Sequence, residues 1–321
     1  MTDKRGRLVA VTGGTGFLGP HIADALRAAG WSVRLLVRRR PAAAGSDIVP
    51  GSLFDDAALD RLLQGADAVV HAAGRIKAVS RAEFLRVNRD GSHRLAAAVM
   101  RQPRPPRVVA VSSLAAREPR LSAYAESKRA GEEALREAGI ADLAVVRSAA
   151  VYGPGDRETA VFLRAADGPV LPVPRVPGGR VALIHAADAA AAVAALAPPG
   201  MPGGVFEISD RRIDGYGWRE LAEEILAASG GRARIVEVPR AVFRAVAGLN
   251  AAAGHATGRA VMLAPGKVRE LFHPDWSSAR DRQPPPEIWS PRVDLRDGLR
   301  QTLRWLNAAA PAETKDARYA D

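Results

Sequence analysis

Cysteine is absent from the 321-residue chain, and its absence excludes several kinds of chemistry. Without cysteine the protein has no disulfide, no thiolate metal site and no cysteine nucleophile. The six histidines lack the spacing of metal ligands, so no metal site is predicted.

Long apolar runs are absent as well. The longest, residues 189–197, covers nine residues, which is about half of what a bilayer-spanning helix needs. The basic N-terminus leads directly into the first predicted strand and leaves no room for an apolar signal segment. We therefore expect a cytoplasmic protein without a membrane span.

Aromatic side chains make up only 5% of a chain whose net charge is +11. A strongly basic protein can bind nucleic acid or a membrane surface. Here the arginines are scattered, residues 38–40 form their only run of three, and no aromatic residues interleave with them to stack on bases. We predict no nucleic-acid partner, because a positive field also suits a phosphorylated cofactor or an acidic substrate.

The chain is organised around residues 8–19, LVAVTGGTGFLG. An apolar strand runs into glycines and then into a helix, which is the order that a dinucleotide site requires. Gly13 permits a sharp turn, Gly16 removes a Cβ where a pyrophosphate approaches, and Gly19 lets the helix pack closely. The alternative is a glycine-rich turn without a ligand.

Short apolar strands alternate with helical patterns through the first half of the chain. A long helix is predicted at residues 82–100, and further strands are predicted at residues 32–37, 48–49, 68–72, 107–111 and 143–146. This alternation indicates an α/β fold, a doubly wound parallel (Rossmann) sheet with helices on both faces.

Proline and glycine interrupt this rhythm after residue 153. We predict a dinucleotide-binding domain over residues 1–172 and a smaller C-terminal α+β substrate-binding region over residues 173–321. Residues 181–212 are expected to return to the first domain, and residues 311–321 to form a disordered tail.

Tyr124 and Lys128 lie one turn apart on a predicted helix. An ammonium beside a phenol stabilises the phenolate, so we expect a lowered pKa for Tyr124 and proton exchange with an alcohol or carbonyl oxygen. Ser112 and Ser113 end a predicted strand, where one hydroxyl can orient the reacting oxygen. The alternatives are an ordinary surface pair and a strand-end cap.

These segments together resemble the short-chain dehydrogenase/reductase superfamily, in its extended, epimerase-like branch. The matching motifs are residues 12–19 (TGGTGFLG), 71–74 (HAAG), Tyr124 with Lys128, 152–155 (YGPG) and 184–188 (IHAAD). The resemblance implies that Tyr124 is the acid/base, that Lys128 also binds the nicotinamide ribose, and that Ser113, rather than Ser112, polarises the substrate oxygen. It also implies a possible homodimer.

The glycine segment and the resemblance together define a predicted cofactor-binding set. Its members are Gly13, Thr15, Gly16, Phe17, Leu18, Gly19, Arg38, Arg39, Leu53, Ala72, Ala73, Gly74, Ser112, Tyr124, Lys128, Ser148 and Val151. Two positions depart from the branch: Ser52 stands where it usually has an aspartate, and Ala150 where nucleotide-sugar enzymes usually have an asparagine.

The end of the second strand indicates the cofactor. NAD-preferring folds place a carboxylate there, on the ribose 2′-OH. This chain instead has arginines, whose guanidinium groups can bind a phosphate bidentately. We predict NADP, bound through Arg38 first and Arg39 second, with NAD still possible; the alternative is a solvated basic loop.

Three functions are compatible with these residues. The first is an NADP(H)-dependent oxidoreductase that reduces a carbonyl or oxidises a secondary alcohol with a serine, a tyrosine and a lysine. The second is a nucleotide-sugar epimerase or dehydratase with transient hydride transfer. The third is a dinucleotide-binding protein without turnover.

Overall fold

The computed structural model describes residues 7–38, 47–158 and 160–309. The strands are β1 (Leu8–Thr12), β2 (Ser32–Val37), β3 (Asp47–Pro50), β4 (Ala68–His71), β5 (Arg107–Ser113), β6 (Leu143–Ser148), β7 (Ala150–Tyr152), β8 (Val170–Pro174), β9 (Arg180–Val181), β10 (Leu183–His185), β11 (Gly204–Ile208), β12 (Arg234–Val238) and β13 (Asp275–Trp276). The helices are α1 (Leu18–Ala28), α2 (Asp56–Leu63), α3 (Arg81–Leu85), α4 (Gly91–Met100), α5 (Ala123–Glu137), α6 (Ala160–Ala165), α7 (Ala186–Ala195), α8 (Trp218–Ser229), α9 (Arg240–Thr257), α10 (Pro265–Leu271) and α11 (Leu295–Ala309).

Seven strands form one parallel sheet in the order β11–β6–β5–β4–β1–β2–β3. The apolar strands β1 and β4 are buried almost throughout, because helices cover both faces. One face packs on α1 and α7 around Leu26 and Val193, and the other packs on α2, α4 and α5 around Leu59 and Leu95. This arrangement confirms the predicted doubly wound Rossmann fold.

The strand order reverses between β1 and β4. In sheets of this kind a ligand crevice lies at the carboxyl edge, beside such a reversal. Thr12, His71 and Ser113 end neighbouring strands there, so the fold brings polar groups from distant parts of the chain to one edge.

The predicted single helix over residues 82–100 was wrong in its middle. The helix α3 is followed by a π-helical turn at Arg86–Asp90, and α4 begins only at Gly91. The extra residue in this turn directs the Asn88 side chain inward, where its amide bonds to both backbone groups of Arg75. Buried hydrogen bonds therefore override the regular helical pattern.

The C-terminal half returns to the large sheet before it builds a separate layer. Helix α7 packs on α1, and β11 adds an edge strand beside β6. A parallel pair, β8 with β12, then packs with α8 and α11 around Leu171 and Leu299. No helix in the described ranges combines the length and apolar character needed to cross a membrane.

Candidate active site

The glycine loop after β1 is shaped by close backbone contacts. Gly13 has φ +77°, and a Cβ there would lie 2.5 Å from the Ala73 nitrogen. A Cβ on Gly19 would lie 2.3 Å from the Gly13 oxygen, so α1 packs tightly behind the loop. At the exposed Gly16, the nearest atom to a Cβ would be the Gly13 oxygen at 3.4 Å. The loop is thus a concave backbone surface at the start of α1, which fits a dinucleotide pyrophosphate.

The other predicted cofactor residues differ in their position and in their exposure to solvent. Thr15 and Gly74 are exposed on the carboxyl edge, while Phe17, Leu18, Ala72, Ala73 and Val151 are partly buried there. Arg38 is exposed directly after β2, and Arg39 lies outside the described residues.

Three predicted cofactor residues have side chains that the structure does not bring to the crevice surface. Leu53 is buried in the core against Gly91. The Ser148 hydroxyl is buried and donates to the Ser112 carbonyl at 3.2 Å. Ser112 is itself buried, with its hydroxyl bonded to a carboxylate. A bound cofactor would reach these residues only through their backbone.

Tyr124 and Lys128 occupy the first turns of α5. Ser122 begins this helix as its N-cap, and its hydroxyl accepts the Ala125 N–H at 2.9 Å. The Ser113 hydroxyl at the end of β5 lies close enough to the Tyr124 phenol to lower its pKa. The structure therefore brings the predicted serine, tyrosine and lysine to one place, beside the glycine loop.

The two adjacent serines have different environments. Ser112 is buried and donates to Glu132 Oε1 at 2.6 Å, on the inner side of α5. Ser113 is partly exposed and lies near the Tyr124 phenol. Of the two hydroxyls, only that of Ser113 is open to a substrate in the crevice.

The expected lowering of the Tyr124 pKa was wrong. Burial raises the pKa of Tyr124 to about 12, the nearby Ser113 hydroxyl opposes the shift, and the Glu270 carboxylate adds to it. The Lys128 ammonium donates to the Val111 carbonyl at 2.7 Å. Burial lowers the pKa of Lys128 to about 8, against the opposing charge of Glu132. Desolvation outweighs the attraction that the sequence pattern suggested.

A chain of uncharged polar groups connects the glycine loop to α5. We call it the neutral network; its members are Thr12, His71, Ser92, Asn88 and Ser127. Thr12 Oγ1 lies 2.8 Å from His71 Nδ1, and His71 Nε2 lies 3.1 Å from Ser92 Oγ. Burial, with a smaller contribution from Lys128, lowers the pKa of His71 to about 3, so this imidazole is neutral near pH 7.

The neutral network continues through the π-helical turn. Ser92 donates to the Asn88 carbonyl at 2.6 Å, and the Asn88 amide donates to Ser127 Oγ at 2.8 Å. Ser127 then donates to the Tyr124 carbonyl, also at 2.8 Å. At Gly131 a Cβ would lie 2.5 Å from the Asn88 oxygen, so α5 packs directly on this turn.

A second set of groups on the inner side of α5 is ionised. We call it the charged network; its members are Glu132, Arg147, Glu207 and Arg117. Arg147 binds Glu132 with two nitrogens, at 2.7 and 2.9 Å. Glu207 lies 3.8 Å from Arg147 and 3.1 Å from Arg117. The three inner members are buried, and their pairing satisfies charges that would otherwise be costly.

The charged network ends on the C-terminal segment. Arg117 donates to the Ser277 carbonyl at 2.8 Å, and the Ala279 N–H donates to Glu207 at 3.0 Å. Glu132 and Lys128 both line a cavity of about 20 Å³, which has room for a water molecule. The carboxylate of Glu132 thus acts on Lys128 through space.

Sequence analysis missed most of both networks. The available signal for Glu132 was its position one turn after Lys128, which puts both on the same face of α5. No local pattern identifies Asn88 or Ser92, because their partners come from β4 and from α5.

Comparison with known proteins places these features in context. The profile of the "NAD dependent epimerase/dehydratase family" matches residues 9–209. The ceramide reductase of Caulobacter vibrioides (strain NA1000 / CB15N) is 43% identical over 314 residues, which cover 96% of each chain.

Two further matches are more distant. The 4-hydroxy-2-methyl-3-oxo-4-farnesyl-3,4-dihydroquinoline-1-oxide ketoreductase of Stigmatella aurantiaca is 39% identical over 109 residues, 32% of each chain. The solved structure of MoeE5 in complex with UDP-glucose and NAD has a TM-score of 0.73 and 21% identity, over 95% of this chain and 100% of the other. At that identity the similarity concerns the fold.

Proposed function

We propose that this chain, which belongs to the NAD-dependent epimerase/dehydratase family and is an NAD(P)-dependent enzyme of the reductase or epimerase type, is an NADPH-dependent reductase. The proposed reaction converts the ketone of a ceramide-like lipid into a secondary alcohol. The observation that carries the proposal is the proximity of Ser113 and Tyr124 at the carboxyl edge of the sheet, with Lys128 one turn further along α5. The ceramide reductase that matches 96% of the chain supports the substrate class.

Each of the three side chains has a role in this proposal. When bound, the nicotinamide supplies a hydride to the carbonyl carbon. Tyr124 donates a proton to the carbonyl oxygen as negative charge develops there. Ser113 holds that oxygen and the phenol together. The ammonium of Lys128 favours the phenolate that remains.

Burial raises the pKa of Tyr124 to about 12, so the phenol is protonated near neutral pH and can donate a proton in a reduction.

An aromatic ring next to Tyr124 and apolar side chains on nearby segments of the carboxyl edge bear on the substrate. The ring of Phe84 lies 6.1 Å from that of Tyr124. Ile76, on the loop after β4, is 55% exposed. Ala150 takes the position at which nucleotide-sugar enzymes usually have an asparagine. These side chains favour an apolar substrate over a nucleotide sugar.

Arg38 supports NADPH as the cofactor. It is exposed at the carboxyl end of β2 and makes no ion pair with any described residue. Its guanidinium is thus available for a 2′-phosphate. We expect Arg38→Ala to weaken NADPH binding roughly tenfold or more and to leave NADH binding unchanged. The control is Arg104→Ala, which changes an exposed arginine before the amino end of β5. Equal affinity of the unaltered protein for NADPH and NADH would contradict the assignment.

The reaction is tested with NADPH and the ketone form of a short-chain ceramide. Tyr124→Phe should lower turnover by roughly a thousandfold or more while NADPH binding stays the same. Tyr216→Phe removes a phenol that bonds Asp210 and does not belong to the predicted site residues, so it should keep activity. Stabilisation by UDP-glucose without ketone reduction would favour the epimerase function, and NADPH binding without any turnover would favour a non-catalytic protein.

A further inference from the structure

Helix α9 leaves most of its apolar side chains in solvent. Of its 18 residues only Ala247 and Gly254 are buried. Leu249 is 73% exposed, Val242 50% and Val246 43%. We call the exposed apolar surface the α9 outer face; it consists of Val242, Ala245, Val246, Leu249, Ala252, Ala253 and Ala256. A contiguous apolar face of this kind marks an interaction site.

The surroundings of this face are strongly basic. The 32 residues between Glu237 and Glu270 contain five lysines and arginines and no carboxylate. Arg240, Arg244 and Arg259 are exposed and form no ion pair with a described residue. At 100° per residue, Arg244 and His255 lie about 60–80° beyond one edge of the α9 outer face, between that face and the buried side of the helix. The chain as a whole has a net charge of +11.

The segment formed by α9 and α10 packs against the start of α5, the helix that carries Tyr124 and Lys128. The rings of Phe243 on α9 and Phe272 after α10 lie 5.4 Å apart. On α10, Glu270 accepts a hydrogen bond from the Ser122 hydroxyl. A Cβ on Gly266 would lie 3.0 Å from the Ser122 Cβ. The α9 outer face is therefore joined through one helix to the N-cap of α5, two residues before Tyr124.

We propose that the α9 outer face docks on the surface of a bilayer that contains anionic phospholipid. Its apolar side chains would enter the boundary between headgroups and acyl chains, with the helix axis in the membrane plane. The neighbouring arginines would extend to the lipid phosphates. A second copy of this chain fits less well, because a symmetric contact would bring the unpaired arginines of both copies together.

This proposal goes beyond the proposed reaction and does not depend on it. It would place the crevice at the source of a lipid substrate, but binding to a bilayer can be measured without turnover. A failed reduction assay and failed membrane binding are therefore separate results.

The test is co-sedimentation of the full chain with vesicles of phosphatidylglycerol and phosphatidylcholine, and with phosphatidylcholine alone. Val246→Glu with Leu249→Glu should lower the partition coefficient on anionic vesicles roughly tenfold or more. Arg244→Gln should lower it about fivefold. Binding of the unaltered protein should weaken with added salt and on vesicles without the anionic lipid.

The matched control is Met100→Glu with Val170→Glu. These residues are 48% and 43% exposed, lie outside α9, and change the net charge by the same amount. The control should bind as the unaltered protein does, and thermal unfolding should show that all variants are folded. The proposal is overturned if the unaltered protein ignores anionic vesicles, if the α9 double variant binds as well as its control, or if that variant instead dissociates a dimer in solution.

Discussion

The two networks that hold α5 differ in charge and in direction. The neutral network joins α5 to β1 and β4 through His71 and Asn88. The charged network joins the same helix to β6, β11 and the segment around Ser277. Helix α5 is therefore fixed to β1 and β4 by neutral hydrogen bonds and to the C-terminal side by ion pairs.

This difference has energetic consequences. A neutral hydrogen bond contributes about 1 kcal/mol, and its loss leaves no unpaired charge. A buried ion pair contributes little net stability, but removal of one partner leaves the other charge without compensation. Substitutions in the charged network should thus lower the stability of the protein more than substitutions in the neutral network do near neutral pH.

The largest effect is expected from Glu132→Gln. This change removes the carboxylate that binds Arg147 through two nitrogens, so a buried guanidinium loses its main partner. We expect the free energy of unfolding to fall by about 3 kcal/mol in a urea titration. Glu133→Gln is the matched control, because that neighbour pairs with Arg129 at the surface and should cost less than about 0.5 kcal/mol. Equal losses for the two variants would remove the distinction between the networks.

The second effect concerns pH and His71. Its pKa in the folded state, about 3, lies below the ordinary value of 6.5. The unfolded chain therefore binds the extra proton between these values, and stability falls as the pH drops through this window. Between about pH 7 and about pH 5 the unaltered protein should lose about 2 kcal/mol more than His71→Gln. His255→Gln, at a solvent-exposed histidine, should follow the unaltered protein; a slope that survives in His71→Gln would assign it to another group.

A smaller effect is expected from Ser127→Ala. The hydroxyl links the Asn88 amide to the Tyr124 carbonyl, and no charge is left unpaired when it is removed. Loss of stability should be about 1 kcal/mol. The comparison is Ser229→Ala, whose hydroxyl bonds the Leu226 carbonyl at the end of α8. A thermal melt that places Ser127→Ala level with Glu132→Gln would mean that the neutral network is as sensitive as the charged one.

The smallest effect links the charged network to the rate. Lys128 has a pKa of about 8, and the charge of Glu132 raises it against burial. The ammonium is lost as the pH rises through this value, so kcat/KM for the ketone should fall above about pH 8. Glu132→Gln should move this falling limb to lower pH by a fraction of a unit, and Glu133→Gln should leave it in place. An unchanged limb in Glu132→Gln would show that the carboxylate does not act on Lys128.

Prediction from the sequence succeeded where the signal is local. Residues 32–37 (SVRLLV) are mostly apolar and were predicted as a strand, and the structure has β2 at those residues. It failed where partners are distant or elements are short. The strands β8 and β12 contain proline or exposed residues and pair with each other across more than fifty residues of chain. The π-helical turn depends on bonds from Asn88 to Arg75 and Ser127, which no periodicity encodes.

Local spacing was sufficient to identify the strand–glycine–helix unit and the Tyr124–Lys128 pair, because close contacts along the chain depend on neighbours in sequence. Three-dimensional packing was needed to separate Ser113 from Ser112, since it buries one hydroxyl against Glu132 and leaves the other beside Tyr124. Packing also reversed the expected pKa shift of Tyr124, because desolvation depends on all the atoms around a group and not on its position in the chain.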